Sequence, residues 1–120
     1  MGLPRWAAGA ALAITLAGPA AAGGDFDQAL AAAQRGDYAV AFCIWRPMAE
    51  AGDPRAQYHL GWMYANGEGL RVDEERAVAL WSQAAQQGHT EARFRLALAY
   101  LYGEGVERDT AQALAWLEPL

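Results

Sequence analysis

Lysine is absent from this chain, and serine and cysteine occur once each. All 9 basic residues are therefore arginines, and no two of them adjoin to start a basic run. Against them stand 14 acidic residues, for a formal net charge of -5. A chain so charged does not suit a nucleic-acid phosphate backbone. With Cys43 alone, no internal disulfide can form. The thiol reads as a small apolar residue packed in a helix, the other use open to it being an intermolecular disulfide. Ser82 sits beside Trp81 and Gln83 with no base in helical reach, which excludes an obvious hydroxyl nucleophile. His59 and His89 are far apart, and neither has a second histidine at i+4, so both read as surface or cap residues rather than metal ligands.

The strings of common catalytic sites are missing too: no G-x-S-x-G, C-x-x-C, H-E-x-x-H or P-loop occurs. The aspartate-rich loop of a calcium site is also missing. Glu74 and Glu75, with Glu68 and Glu104, are the densest acidic places, and a helix dipole alone favours carboxylates at a helix start. No catalytic residue, cofactor or metal is expected.

Only one long apolar run exists, Trp6 to Ala17, preceded by Arg5 and followed by Gly18-Pro19-Ala20-Ala21-Ala22. A spanning helix needs about 20 such residues, so a retained anchor is the poorer reading. The charged start, short apolar stretch and A-x-A site have the layout of a secretory signal peptide, with cleavage expected after Ala22. No cysteine follows for lipid attachment. Removing residues 1–22 takes away Arg5 alone among the charged groups, leaving 14 acidic against 8 basic residues, or -6. The product is expected to be a periplasmic or secreted protein without stable membrane insertion.

What the remaining 98 residues do contain is a repeat. Shifted by 36 places, Gly52 falls on Gly88, Ala56 on Ala92, Leu60 on Leu96 and Tyr64 on Tyr100. Gly67-Glu68-Gly69 falls on Gly103-Glu104-Gly105, and Asp73 on Asp109. The same shift joins Ala41 to Ala77 and Trp45 to Trp81. A fixed period of this length marks a solenoid. Apolar residues inside each period keep helical spacing, as in Ala56, Leu60, Met63 and Tyr64. Helices are expected at 26–34, 38–51, 54–65, 74–87, 90–101 and 110–118, with a kink at Pro47. Asp53 with Pro54 at N1, and Asp109 with Gln112 three places on, supply helix starts. Asn66-Gly67 and Gly88 supply helix ends. Arg35-Gly36-Asp37 is the turn of the first hairpin rather than an adhesion motif.

The string A-x-x-x-L-G-x-x-Y-x-x-G-x-G-L-x-x-D-x-x-x-A, Ala56 to Ala77, closely resembles a Sel1-like repeat, the longer-looped relative of the tetratricopeptide repeat. Its second copy, Ala92 to Ala113, departs mainly in having Ala97 where the first has Gly61. The opening hairpin, with Gly36-Asp37-Tyr38, Ala41 and Trp45, looks more like a tetratricopeptide unit. The division is then a signal peptide at 1–22 and a Sel1-like domain at 23–120, made of a hairpin at 25–51, a repeat at 52–87 and a truncated repeat at 88–120. The resemblance implies an all-α solenoid, a right-handed superhelix of antiparallel helix pairs acting as a non-enzymatic adaptor for a partner protein. Cysteine-rich relatives are linked to β-lactam binding or hydrolysis, and their disulfide pairs have no counterpart here. A cell-wall enzyme or β-lactam binder is thus the alternative, with a self-assembling envelope unit as a further one.

On a helical wheel Arg55, Tyr58, Trp62 and Asn66 oppose the core side of their helix, and Glu91, Phe94, Leu98 and Tyr102 do so in the next unit. The family's groove lies on that side, and large aromatic groups flanked by charge suit the capture of a peptide or helix. The same Tyr58, Trp62 and Phe94 equally suit packing across unit boundaries, and the residues leave both uses open. Trp45 and Trp81 share one phase and are expected in the core. With no polar capping helix after Trp116, self-association through the C-terminal end, a partner helix there, or continuation in a longer array is also expected.

Overall fold

The computed structural model describes residues 22–118, so the expected leader, save its last residue, and residues 119–120 lie outside it. Among the described residues six helices follow one another: α1 (Ala22–Gln34), α2 (Tyr38–Glu50), α3 (Pro54–Asn66), α4 (Glu74–Gln86), α5 (Thr90–Tyr102) and α6 (Thr110–Leu117). Each packs on its neighbour in sequence, giving three consecutive hairpins, α1–α2, α3–α4 and α5–α6, stacked as an all-α solenoid. Among the described residues there is no strand, and no helix is long and apolar enough to cross a membrane.

The 36-residue period recurs in the backbone hydrogen bonds. Asp73 N–H donates to the Tyr64 carbonyl at 2.9 Å, and Asp109 N–H to that of Tyr100 at 2.9 Å. Likewise Asp53 N–H reaches the Met48 carbonyl and His89 N–H that of Ala84. Side chains close the starts of the helices in the expected way. The Asp53 carboxylate accepts from the Arg55 N–H at 2.9 Å, Asp73 from that of Arg76 at 3.0 Å, and Asp109 from that of Gln112 at 3.1 Å. Each satisfies a donor that has no partner within its own helix. Gln112 returns no side-chain bond among the described residues, so the capping box is half made.

Both Gly-Glu-Gly segments leave a first helix through left-handed glycines. Gly67 and Gly69 have φ of 67° and 72°, and Gly103 and Gly105 of 71° and 77°. The second glycine of each pair has a further duty. A Cβ at Gly69 would meet the Tyr38 Cβ at 2.5 Å, and one at Gly105 would run into the Glu74 carbonyl. Each loop therefore rests on the first residue of the second helix of the preceding hairpin, a contact between units that only glycine permits. Leu70 and Val106 then turn back onto the two core clusters.

Those clusters are the interiors of the stack. One gathers Phe26, Ala29, Ala32, Ala41, Trp45, Ala49, Ala56, Leu60 and Met63, and the other Ala77, Val78, Trp81, Ala84, Ala85, Ala92, Leu96 and Ala99. Trp45 and Trp81 are buried as expected, at 2% and 6% exposure. An indole of about 150–250 Å² removed from water is worth roughly 4–6 kcal/mol of gross transfer free energy, so each tryptophan anchors its hairpin. The Trp81 N–H crosses to the Tyr58 carbonyl at 3.1 Å, and Gly61 makes room for it.

Two expectations need correction. α1 begins at Ala22, four residues before the expected start, and so runs through Gly23 and Gly24, which disfavour a helix by about 1 kcal/mol each without forbidding it. The helix expected around Pro47 continues through it as α2, with Pro47 on its exposed side and the Ala51 N–H donating to the Pro47 carbonyl at 3.0 Å. Cys43 is exposed rather than packed. The buried stripe of α2 is Ala41, Trp45 and Ala49, at i, i+4 and i+8, and a residue two places from Ala41 points the other way.

Candidate functional site

Two notches open along the first helices, and the repeat relates them. The first, of about 230 Å³, is bounded by Leu30, Ala33 and Gln34 of α1, Trp45 of α2, His59, Trp62 and Met63 of α3, and Glu68. The second, of about 130 Å³, is bounded by Trp62, Ala65 and Asn66 of α3, Glu74, Ala77 and Trp81 of α4, Arg95 of α5, and Glu104. One period on, Trp45 becomes Trp81, His59 becomes Arg95 and Glu68 becomes Glu104. The shorter first turn makes the shift 32 within α1, since Asp37 N–H bonds to Ala32 where Asp73 N–H bonds to Tyr64. Leu30, Ala33 and Gln34 then correspond to Trp62, Ala65 and Asn66. Trp62 belongs to both notches and is the partition between them.

Electrostatically the notches differ in two places, Arg95 standing where the first has His59 and Glu74 lining the second alone. In the second, the Arg95 guanidinium lies 4.1 Å from the centre of the Trp62 ring, a cation–π contact, with Glu74 and Glu104 in the same lining. In the first, His59 stacks on Trp45 at 4.9 Å and 19°, with Phe26 and Tyr58 edge-on at 5.4 and 5.1 Å. Burial among these rings pushes the imidazole below its ordinary pKa, opposed by Glu91 and assisted by His89. The ring is neutral at pH 7, and Glu68 is the one charged group of that lining. His59 is thus neither a surface nor a cap residue. His89 does cap a helix, its Nδ1 accepting from the Ala92 N–H at 3.2 Å, and its ring stacks on Tyr58 at 5.0 Å.

The residues expected to form the groove divide. Trp62 and Asn66 come together at the second notch. Tyr58 is half-buried and, like Trp62, packs against the second core cluster, so it serves the boundary between units. Arg55 is engaged within the chain: its guanidinium donates to both Asp53 oxygens, at 3.2 and 2.9 Å, and lies 4.5 Å from the Phe26 ring centre. This pair holds the Asp53 carboxyl below the usual range. Phe94 and Tyr102 are exposed at 48% and 65%, Glu91 is exposed and Leu98 half-buried, and none of the four enters either notch.

Sequence reasoning missed Glu68, Glu104, His59 and Arg95 as lining residues. One signal was available. The turn geometry explains both glycines of each Gly-Glu-Gly but gives no reason for the glutamate between them, and yet it recurs. In chemical terms the linings hold the half-buried Trp62, one amide each and carboxylates. Among the described residues no three His, Cys, Asp or Glu side chains gather to hold a metal ion.

Comparison with known proteins agrees with this architecture. A family model for the Sel1 repeat matches residues 54–89 and 90–119. The chain is similar to a crystal structure of a Sel1 repeat protein from Oxalobacter formigenes, with 34% identity and a TM-score of 0.71, over 78% of this chain and 74% of that one. It is also similar, at 32% identity and a TM-score of 0.75, to a protective antigen present in uropathogenic Escherichia coli strains that displays an SLR fold. That alignment covers 78% of this chain but 21% of the antigen. None of the curated proteins compared with the chain matches it.

Proposed function

The chain belongs to the Sel1 repeat family, typically protein–protein interaction modules, and from that premise we propose that it is an exported, non-enzymatic adaptor holding a partner protein along its first helices. The carrying observation is the pair of repeat-related notches on α1, α3 and α5, walled by Trp62 and lined with carboxylates. Indole surface at the centre of a recessed strip, with polar groups around it, is where binding energy concentrates. Export rests on the leader layout of residues 1–22 and places the adaptor in the periplasm or outside the cell.

In-cell cross-linking followed by identification of the captured protein tests the adaptor role. One species should be caught by the native chain and lost with Trp62→Ala at unchanged helical circular dichroism. Equal capture by both, or none by either, overturns the groove reading. The mass of the exported protein tests the leader, which should be missing through Ala22. A self-assembling unit is the second reading, favoured by Phe94 and Leu114 standing 48% and 58% exposed on the last hairpin. A monodisperse monomer in sedimentation at high concentration removes it.

A further inference from the structure

On the side of α3 away from the notches, Gln57, Leu60 and Tyr64 follow at i, i+3 and i+7 and floor a separate cleft of about 370 Å³ between α2 and α4. Gln57 is 4% exposed. Its Nε2 donates to the Ala49 carbonyl at 3.1 Å and its Oε1 accepts from Gln87 at 3.0 Å, so the second Nε2 hydrogen has no acceptor among the described residues. Over this floor stand Arg46 of α2 and Arg76 of α4, with Glu50 the one carboxylate of the lining. Both notches carry more negative than positive charge, whereas here two guanidiniums face one glutamate. A ladder of rings positions them. Arg46 lies 5.9 Å from the centre of the Phe42 ring, and Phe42 meets Tyr64 edge-on at 6.4 Å. Arg76 lies 5.2 Å from the centre of the Tyr64 ring and donates to its hydroxyl at 3.2 Å, and that hydroxyl donates to no group among the described residues. The next boundary between units is built differently. One period on, Arg46 becomes Ser82, Glu50 becomes Gln86 and Arg76 becomes Gln112, while Arg93 takes the Gln57 position and donates to the Trp116 carbonyl. Stacking of units therefore does not require the two wall arginines.

We propose that this cleft receives an acidic side chain of a partner protein, its carboxylate set between Arg46 and Arg76 over the free donors of Tyr64 and Gln57. The site goes beyond the groove of the first helices and does not depend on it, because it lies on the opposite side of α3. Both arginines keep terminal N–H groups for a ligand. The Arg46 contact with Glu50 is through Nε at 3.5 Å, and Arg76 uses Nη1 toward Tyr64 and Nε toward Asp73. Their side chains are 60% and 62% exposed, so a protein segment lying across the cleft reaches them, whereas a small molecule would be poorly enclosed. A carboxylate matches the guanidinium fork in charge and geometry. A residue within a chain is favoured over a chain end because Glu50 and Gln83 offer acceptors to the peptide N–H groups on either side of it.

The test uses the full, ¹⁵N-labelled chain and acetyl-Ala-Glu-Ala-methylamide as the probe. Beside it stand the glutamine peptide, acetyl-Ala-Ala-Ala with a free carboxylate, and inorganic phosphate. Saturable shifts are expected at the Gln57 side-chain amide and the Arg76 Nε–H, with the Trp62 indole N–H unmoved. Arg46→Ser and Arg76→Gln install what the next repeat carries at these places, and each should weaken binding about fivefold, the scale of an ion pair between partly exposed groups. Glu50→Gln, also taken from the next repeat, should tighten it, since Arg46 then has no acid of its own chain to hold. Added salt should weaken binding, and Trp62→Ala should leave it unchanged. The proposal is overturned by an absence of saturable shifts, by equal affinity for the glutamine peptide, by unchanged affinity in Arg46→Ser and Arg76→Gln, or by weaker binding in Glu50→Gln. Phosphate binding as tight as the probe's makes the cleft a general anion attractor and overturns the acidic side chain. Tighter binding of the free-carboxylate peptide overturns the choice of a residue within a chain. Self-association that Arg76→Gln abolishes gives the cleft to a second copy and overturns the foreign partner. A cross-linked partner that depends on Trp62, with no binding of the probe, sinks the cleft and leaves the groove standing. Specific probe binding with no Trp62-dependent partner supports the cleft and sinks the groove.

Discussion

Gly61 is where a small change separates packing from propensity. Replacing glycine by alanine inside a helix ordinarily gains about 0.5–1 kcal/mol, because the unfolded chain loses less freedom on folding. At this position the added methyl would stand 2.6 Å from the Trp81 Nε1, 2.8 Å from its Cδ1 and 3.2 Å from the Ala77 carbonyl oxygen. The indole must move, and with it goes the bond to the Tyr58 carbonyl. Overpacking a filled core costs about 1–3 kcal/mol, and a buried donor left without its acceptor about 1–3 more. Set against the propensity gain, Gly61→Ala should destabilise by about 2 kcal/mol. For a domain of this size that is a fall of about 10 °C in Tm, read by thermal circular dichroism.

The chain contains its own controls. In the next repeat Ala97 replaces Gly61, and the residue at the Trp81 position is Leu117. In the opening hairpin Ala29 holds the Gly61 position opposite Trp45, and the Trp45 Nε1 is buried with no hydrogen-bond partner. An alanine there is therefore compatible with tryptophan only at the expense of the indole's bond. Gly61→Ala made on a Trp81→Leu background should accordingly be neutral or stabilising, which gives a coupling energy of about 2 kcal/mol across the double-mutant cycle. A Gly61→Ala variant with unchanged or raised Tm, or additive single effects, would refute the close-approach argument.

Acid should weaken the fold through His59. Its folded pKa lies below the ordinary 6.5, so the folded state takes up the proton less readily. Stability is complete above about pH 6.5 and falls as the pH drops through the folded value. Urea midpoints at pH 7.5 and 5.5 should differ more for the native chain than for His59→Gln, and parallel midpoints would remove the argument. His89→Ala, which removes the acceptor of the Ala92 N–H, should cost about 1 kcal/mol of stability, read from urea midpoints. Asp73→Ala, which strips the cap from α4, should lower stability by about 1 kcal/mol, with Asp109→Ala smaller because α6 spans 8 residues to the 13 of α4. Cys43, being exposed, should react completely with a thiol reagent in the native state and in a single phase.

Helices, period and caps were legible because local physics fixes them: a buried stripe at i, i+4, i+8, aspartates that accept from the first turn, and glycines at left-handed ends. Errors arose where the decisive neighbour is remote in sequence. His59 looked like an isolated polar residue, and only the stacking of hairpins surrounds it with Phe26, Trp45 and Tyr58. Arg55 looked available to a partner on the wheel, yet Asp53 and Phe26 already hold it. Cys43 is the opposite case, since the stripe of α2 was visible and its register alone points the thiol outward.

The Gly-Glu-Gly segments join fold to function in one stretch of chain. Their second glycines seat each loop on the preceding hairpin, at Tyr38 and at Glu74, so the loop cannot swing without unstacking the units. A glutamate fixed between two such glycines is held at the notch wall by the same contacts that build the solenoid. Its position is thereby set before any partner arrives, which reduces the ordering cost of binding. The repeat unit then delivers, once per period, a tryptophan from the second helix, a carboxylate from the loop and one residue from the next first helix. That last residue differs in charge between the two notches, Arg95 in one and His59 in the other, and Glu74 lines the second alone. The linings thus vary at these positions while the loop glycines and the tryptophans of the second helices, which hold the stack together, stay the same.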